Sequence, residues 1–201
     1  MRDDAQRNQV IDTALEKFRK YGIRRVTLDE IARELRISKK TLYTHFSDKE
    51  ALVTACIERN VSQIMPKVNA ALSSKGTASE KVVRMWQAAS NLPRLVTPEL
   101  IADLKADYPH LWEAIDSRRK AALARFEGII DAGRKTGEIR PEIHPKVMLR
   151  MIMAFLDRII TPDVLVQGEF SPAEALNTIF TVIGRGMFVH PPALPPMEPL
   201  P

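Results

Sequence analysis

The sequence predicts an all-α fold, and three observations carry that prediction. Apolar residues recur at helical spacing throughout the chain, as in Val10, Ile11, Ala14, Leu15 and Phe18. Helix-opening signals punctuate these stretches, either a hydroxyl followed three residues later by glutamate or a cap followed by proline. Glycine is scarce, with 8 in 201 residues, and β-branched alternation is rare, which leaves little material for hairpins.

The elements follow in order. The first helix carries the Val10–Phe18 stripe, and Gly22 is placed to end it. Thr27 with Glu30 forms a capping box for a second helix that buries Leu28, Ile31, Ala32 and Leu35. Ser38 caps a short third helix with Leu42 and Phe46 on its inner side. Ser47 with Glu50 reads as another capping box, opening a fourth helix through Leu52, Val53, Cys56, Ile57, Val61 and Ile64. After the polar "SSKGTAS", Thr77 and Glu80 cap the next helix. Thr97-Pro98-Glu99 and Ser171-Pro172-Ala173-Glu174 each set a cap before a proline at the first helical position. Pro109 opens a long helix ending near Gly137, and His144-Pro145 opens one to about Thr161. The last runs from Pro172 to about Val189. The tail "HPPALPPMEPLP" cannot be regular helix, because proline lacks the amide proton and clashes with the preceding turn. The expected organisation is a small helical unit over 1–50, a larger helical body over 51–190, and an extended or disordered tail over 191–201.

Composition narrows the function classes. Hydrophobic residues make up 45% and charged residues 27%, the balance of a folded soluble chain rather than a disordered one. A single cysteine, Cys56, excludes an internal disulfide, and its place on an apolar face reads as core packing. "MRDDAQRNQ" has no apolar signal-peptide region, and the most apolar stretch, "VMLRMIMAFLDR", is broken by Arg150 and Asp157. A cytoplasmic protein with no membrane partner is expected. The histidines at 45, 110, 144 and 190 are scattered, so no metal site is expected. Neither a glycine-rich phosphate loop nor a nucleophile motif occurs, so no cofactor and no enzyme chemistry are expected. The net charge of +5 is uneven: residues 1–60 hold 13 Lys/Arg against 10 Asp/Glu, 61–140 hold 13 against 9, and 141–201 hold 4 against 6. The cationic excess therefore lies in the first two-thirds, where an anionic partner would bind.

Two short helices joined by a tight turn and flanked by a supporting helix have the layout of a helix-turn-helix. In that geometry the second helix enters the DNA major groove, N-terminal end first. Here it begins Ser38-Lys39-Lys40-Thr41, which offers two cations and hydroxyls to base edges or phosphates. Tyr43, Thr44 and His45 lie around its outer and flanking faces, and Lys49, beside the amides of the next helix, can bind a phosphate. Thr27, capping the preceding helix, is a further phosphate candidate.

The stretch "VTLDEIARELRISKKTLYTHFSDKEAL" closely resembles the DNA-binding domain of the TetR family of bacterial transcriptional regulators. The resemblance covers about residues 7–60 and is most specific in "KKTLYTHFSDKEAL", through Leu42, Tyr43, Phe46, Lys49, Glu50 and Leu52. It implies phosphate contacts from Tyr43, His45 and Lys49, and base or phosphate contacts from Lys39, Lys40, Thr41 and Thr44. It also implies a double-stranded DNA operator, a homodimer, and a C-terminal domain that binds a small effector. The chain departs from the family in two places. Many members have glycine where this chain has Arg36, and a left-handed residue there costs about 1 kcal/mol. Many have a small residue at Lys40, so operator preference does not transfer from relatives.

In the body, Met85, Trp86, Leu104, Tyr108, Trp112, Phe126, Met148, Met151 and Phe155 come from four successive helices. Each alone reads as core; as a set, and by the resemblance, they are expected to line the pocket of a large, mainly apolar effector. The last two long helices are apolar over more than one stripe, which is core or a dimer seam. The resemblance favours the seam, with Val147, Arg150, Met151, Ala154, Phe155, Arg158, Leu176, Ile179, Phe180, Ile183, Gly184 and Met187 facing the partner. The expected function is a ligand-released transcriptional repressor. A helical enzyme or carrier for an apolar molecule is the alternative, and a non-specific DNA-associated structural protein a weaker third.

Overall fold

The computed structural model describes residues 2–89, 97–158, 164 and 170–193. Their helices are α1 (Arg2–Tyr21), α2 (Leu28–Glu34), α3 (Lys39–His45), α4 (Lys49–Ser73), α5 (Ala78–Ala89), α6 (Pro98–Asp107), α7 (Pro109–Thr136), α8 (Pro145–Arg158) and α9 (Pro172–Met187). Among the described residues there is no strand, only an isolated bridge between Ile139 and Phe188. The fold is all-α, as the helical spacing predicts. The chain forms two compact units, one of Met1–Ser62 with Glu99–Glu113 and one of Gln63–Pro98 with Ala114–Pro201. The first therefore runs past residue 50 and takes in α6 and the start of α7.

In the first unit, the stripe Val10, Ile11, Ala14, Leu15 and Phe18 is buried together with Ile31, Leu42, Phe46 and Leu52. Gly22 ends α1 at φ +79°, its N–H donating to the Phe18 carbonyl at 3.0 Å. Thr27 and Glu30 make the expected capping box. The turn out of α2 is a Schellman arrangement: Ile37 N–H donates to Ala32 O at 3.0 Å and Arg36 N–H to Arg33 O at 3.1 Å. Arg36 occupies its left-handed position with φ 53°, the conformation glycine adopts without penalty. The Cβ–carbonyl clash of about 1–2 kcal/mol exceeds the backbone-entropy cost of glycine, about 0.5–1 kcal/mol. Arg36→Gly is therefore expected to raise the unfolding free energy by about 0.5–1 kcal/mol, read as a higher urea midpoint at unchanged m-value.

One cap is corrected. Ser47 does not open α4; Asp48 does, its carboxylate accepting from Ala51 N–H at 2.8 Å while Ser47 Oγ donates to Asp48 at 2.9 Å. An ionised carboxylate answers the helix dipole better than a neutral hydroxyl, and these hydrogen bonds, led by that from Ala51, hold the Asp48 carboxyl below its usual range. Cys56 is buried and donates to the Ile11 carbonyl at 3.7 Å; burial pushes its thiol up to about 12, so it is packing.

In the second unit, Thr77 with Glu80 and Ser171 with Glu174 form reciprocal caps at the expected places. Phe126, Ile130, Ile139, Met148, Ile152, Ile183, Met187 and Phe188 share one core, and Trp86 packs with Leu176 and Phe180. Gly133 is needed inside α7, because a Cβ there would lie 2.7 Å from both Ala78 and Ile139. Two ends differ from the sequence reading. α4 continues to Ser73 with Pro66 inside it. α9 stops at Met187, since Phe188 turns extended and the chain pairs there with residues 138–140 through Arg140 N–H to Met187 O and Val189 N–H to Glu138 O, both 3.0 Å. The expected extension of α8 to Thr161, and tail residues 194–201, lie outside the described residues.

Candidate nucleic-acid interface

The site begins with how α3 is held. Its seven residues are too few to persist alone, so tertiary anchoring decides whether it forms. Leu42 and Phe46, one turn apart, are 1% and 3% exposed and bind it to the first-unit core. The Arg7 guanidinium of α1 lies over the Phe46 ring, 5.1 Å from its centroid. With that side fixed, Lys39, Lys40, Tyr43 and Thr44 are exposed, and Tyr43 keeps half its surface in solvent.

The leading end of α3 is ordered by its own hydroxyls. Thr41 N–H donates to Ser38 Oγ at 3.0 Å, the two hydroxyls are 2.8 Å apart, and Thr44 Oγ1 donates to the Thr41 carbonyl at 2.7 Å. Lys39 is drawn sideways to Asp29 at 2.5 Å, whereas no ion pair among the described residues engages Lys40. Thr27 stands exposed at the start of α2, with N–H and hydroxyl both on Glu30.

Two expected contacts are placed differently. The His45 side chain is 3% exposed and faces α1, with Nδ1 3.6 Å from Asp3 and Nε2 3.2 Å from Gln6. Lys49 is half-buried, its ammonium donating to the Arg24 carbonyl at 3.4 Å; burial lowers its proton affinity, and the charges of Asp103 and Asp107 oppose that effect. Sequence reasoning missed Arg24 itself. Its Nε and Nη2 meet Asp107 at 2.6 and 2.7 Å, and its N–H meets Asp103 at 3.0 Å. The carboxylates stand 79 and 83 residues away, so local pattern could not pair them.

The other expected site residues are dispersed. Leu104 is buried and Tyr108 and Trp112 half-buried in the first unit, with Lys105 Nζ 4.7 Å over the Trp112 ring. Trp86, Phe126 and Met148 are buried in the second unit, Met85 and Phe155 partly buried against its core, and Met151 exposed. A cleft of ≈ 360 Å³ between α4 and α5 is lined instead by Lys67, Ala70, Ala71, Arg84, Gln87 and Ala88. Of the expected seam, Val147, Arg150, Met151, Ala154 and Arg158 form an exposed stripe on α8, with Phe155 turned to the core. On α9 the structure turns Leu176, Ile179, Ile183, Gly184 and Met187 into the chain's own interior, and Phe180 meets Trp86 edge-on at 4.2 Å. The large apolar residue left outside on α9 is Val182, 67% exposed.

Residues 10–56 match the family described as bacterial regulatory proteins, tetR family, and residues 57–186 match the C-terminal region of YsiA-like proteins. The fatty acid metabolism regulator protein of Bacillus subtilis is 22% identical over 185 residues, spanning 89% of this chain and 94% of that protein. The ketosteroid transcriptional regulator KstR2 of Mycobacterium tuberculosis shares the fold at a TM-score of 0.68 and 17% identity, over 92% of this chain and 96% of that one. FadR of Bacillus subtilis, solved with stearoyl-CoA, does so at 0.61 and 22%, over 90% and 98%. With both matches laid end to end over residues 10–186, the chain belongs to the TetR family of bacterial transcriptional regulators.

Proposed function

We propose that this regulator represses transcription as a homodimer on a palindromic operator, and that a small, mainly apolar effector releases it. The observation that carries the DNA part is α3: an anchored inner side, Leu42 and Phe46, beneath an exposed outer side of Lys39, Lys40, Tyr43 and Thr44. Residues 1–50 hold the DNA-reading elements and 51–190 the effector and dimer surfaces. Two copies would set their α3 helices in successive major grooves, about 34–36 Å apart. Supporting the apolar effector are the names of the relatives, which concern a fatty acid, a ketosteroid and stearoyl-CoA. Met85 and Phe155, partly buried against the core of Phe126 and Met148, are the expected pocket residues of the second unit that such a molecule would reach by parting that core. Effector binding would act through α4, and a coupling of about 1–3 kcal/mol would weaken operator affinity about 5–150-fold. The enzyme alternative is set aside by membership of a regulator family. Among the described residues no helix is long and apolar enough to cross a membrane, which accords with a cytoplasmic site of action.

Selection of bound duplexes from a random library, repeated with fatty acyl and steroid ligands, tests the reading. One recurring palindrome, lost on adding a ligand, is the expected result; uniform coverage of all sequences would make the protein a structural DNA coat instead. Substitutions divide the roles. Lys40→Ala and Thr41→Ala should reorder preference among operator variants, by about 1–3 kcal/mol at the affected base pair. Lys49→Ala should weaken every duplex alike and flatten the log–log salt dependence by about 0.9 for each phosphate no longer neutralised. Equal weakening of all variants by Lys40→Ala would confine that lysine to the backbone.

A further inference from the structure

We propose that Asp103 and Asp107 are positioning residues that hold Arg24, and through its carbonyl the Lys49 ammonium, in place in the absence of DNA, so that a backbone phosphate must compete with these two carboxylates for the Arg24 guanidinium. The proposal rests on the DNA-binding reading and adds to it an acidic element outside the helix-turn-helix.

The geometry is specific. Asp103 and Asp107 are one turn apart on α6, which puts both on one face. Arg24 lies in the turn between α1 and α2, three residues before Thr27. Asp107 accepts from its Nε and Nη2 in a fork, and Asp103 accepts its backbone N–H and lies 3.6 Å from Nε. Gly22 makes room for this, since a Cβ there would stand 2.8 Å from the Asp103 carboxylate. Lys49 joins the cluster through the Arg24 carbonyl at 3.4 Å. The guanidinium fork fits a carboxylate and a phosphate equally well, and one edge accepts only one of them at a time. Arg24 is 58% exposed, so an incoming duplex can reach it.

α6 lies within the matched C-terminal region, residues 57–186, yet it packs in the first unit. A shift of α6 therefore changes whether the Arg24 guanidinium is available to DNA. Were the pair merely a clasp between helices, its exposed ion pairs would contribute little, and duplex affinity would not respond to their removal.

The test uses the full chain with a fluorescently labelled duplex of random sequence and with the selected operator, titrated across a range of salt concentrations. Asp107→Asn and Asp103→Asn should tighten both duplexes about 3–10-fold at low salt and steepen the log–log salt slope by about 0.9 for each additional phosphate neutralised. The tightening should vanish in an Arg24→Gln background. Glu58→Gln, which removes the same charge from an exposed position on α4 more than two turns past Lys49, should leave the slope unchanged, and thermal melts establish that each variant is folded. Unchanged or weaker binding by both aspartate variants, or equal tightening by Glu58→Gln, overturns the proposal alone. If the wild-type chain shows no salt-sensitive affinity for either duplex, the DNA-binding reading fails and this proposal with it.

Discussion

Leu42→Ala is expected to abolish duplex binding and to cost the first unit about 3–5 kcal/mol. The side chain is 1% exposed, so its truncation leaves a cavity as well as losing the transfer energy of three carbons. The effect on binding exceeds the effect on stability for a reason of length. α3 has seven residues, and a helix that short gains too few hydrogen bonds to offset nucleation. Leu42 and Phe46 are its hold on the core, and without Leu42 the outward lysines and Tyr43 lose their fixed geometry. Urea unfolding followed by far-UV circular dichroism reads the first quantity, and anisotropy with the selected operator the second. A folded Leu42→Ala chain with wild-type affinity would remove α3 from the recognition role.

The second large effect is expected from Met151→Glu combined with Val182→Glu. These side chains are 44% and 67% exposed, so the folded single chain tolerates the charges with little change in melting temperature. In a symmetric seam made by α8 and α9 the same charges would be desolvated and set against their own copies. The wild-type chain should sediment as a dimer and the variant as a monomer. Operator affinity should fall about 10²–10⁴-fold, because the second half-site is no longer bound intramolecularly. A variant that stays dimeric would place the contact elsewhere.

What the sequence discloses of this molecule is what short-range chemistry decides. The caps at Thr27, Ser38, Thr77 and Ser171 were legible because each hydroxyl meets an amide three residues on. Leu42 and Phe46 were legible because one turn of helix puts them on one side. Asp48 was not, since two good caps stand next to each other and only the backbone path selects between them. The inward face of α9 was not legible either, because a stripe such as Ile179, Ile183 and Met187 serves a chain's own core and a seam between two copies equally well. Helical phase put His45 on an outer or flanking face, and only the fold shows the first turn of α1 reaching across to it with Asp3 and Gln6. Arg24 with Asp103 and Asp107 depends on distant segments meeting, which no local spacing records.

Pro66 lies inside α4 close to Ser62, where the first compact unit ends. Lacking an amide proton, it leaves the Ser62 carbonyl without its usual donor one turn later. One missing rung makes that stretch of the rod easier to bend than its neighbours, so a load that bends α4 is taken up first at that gap.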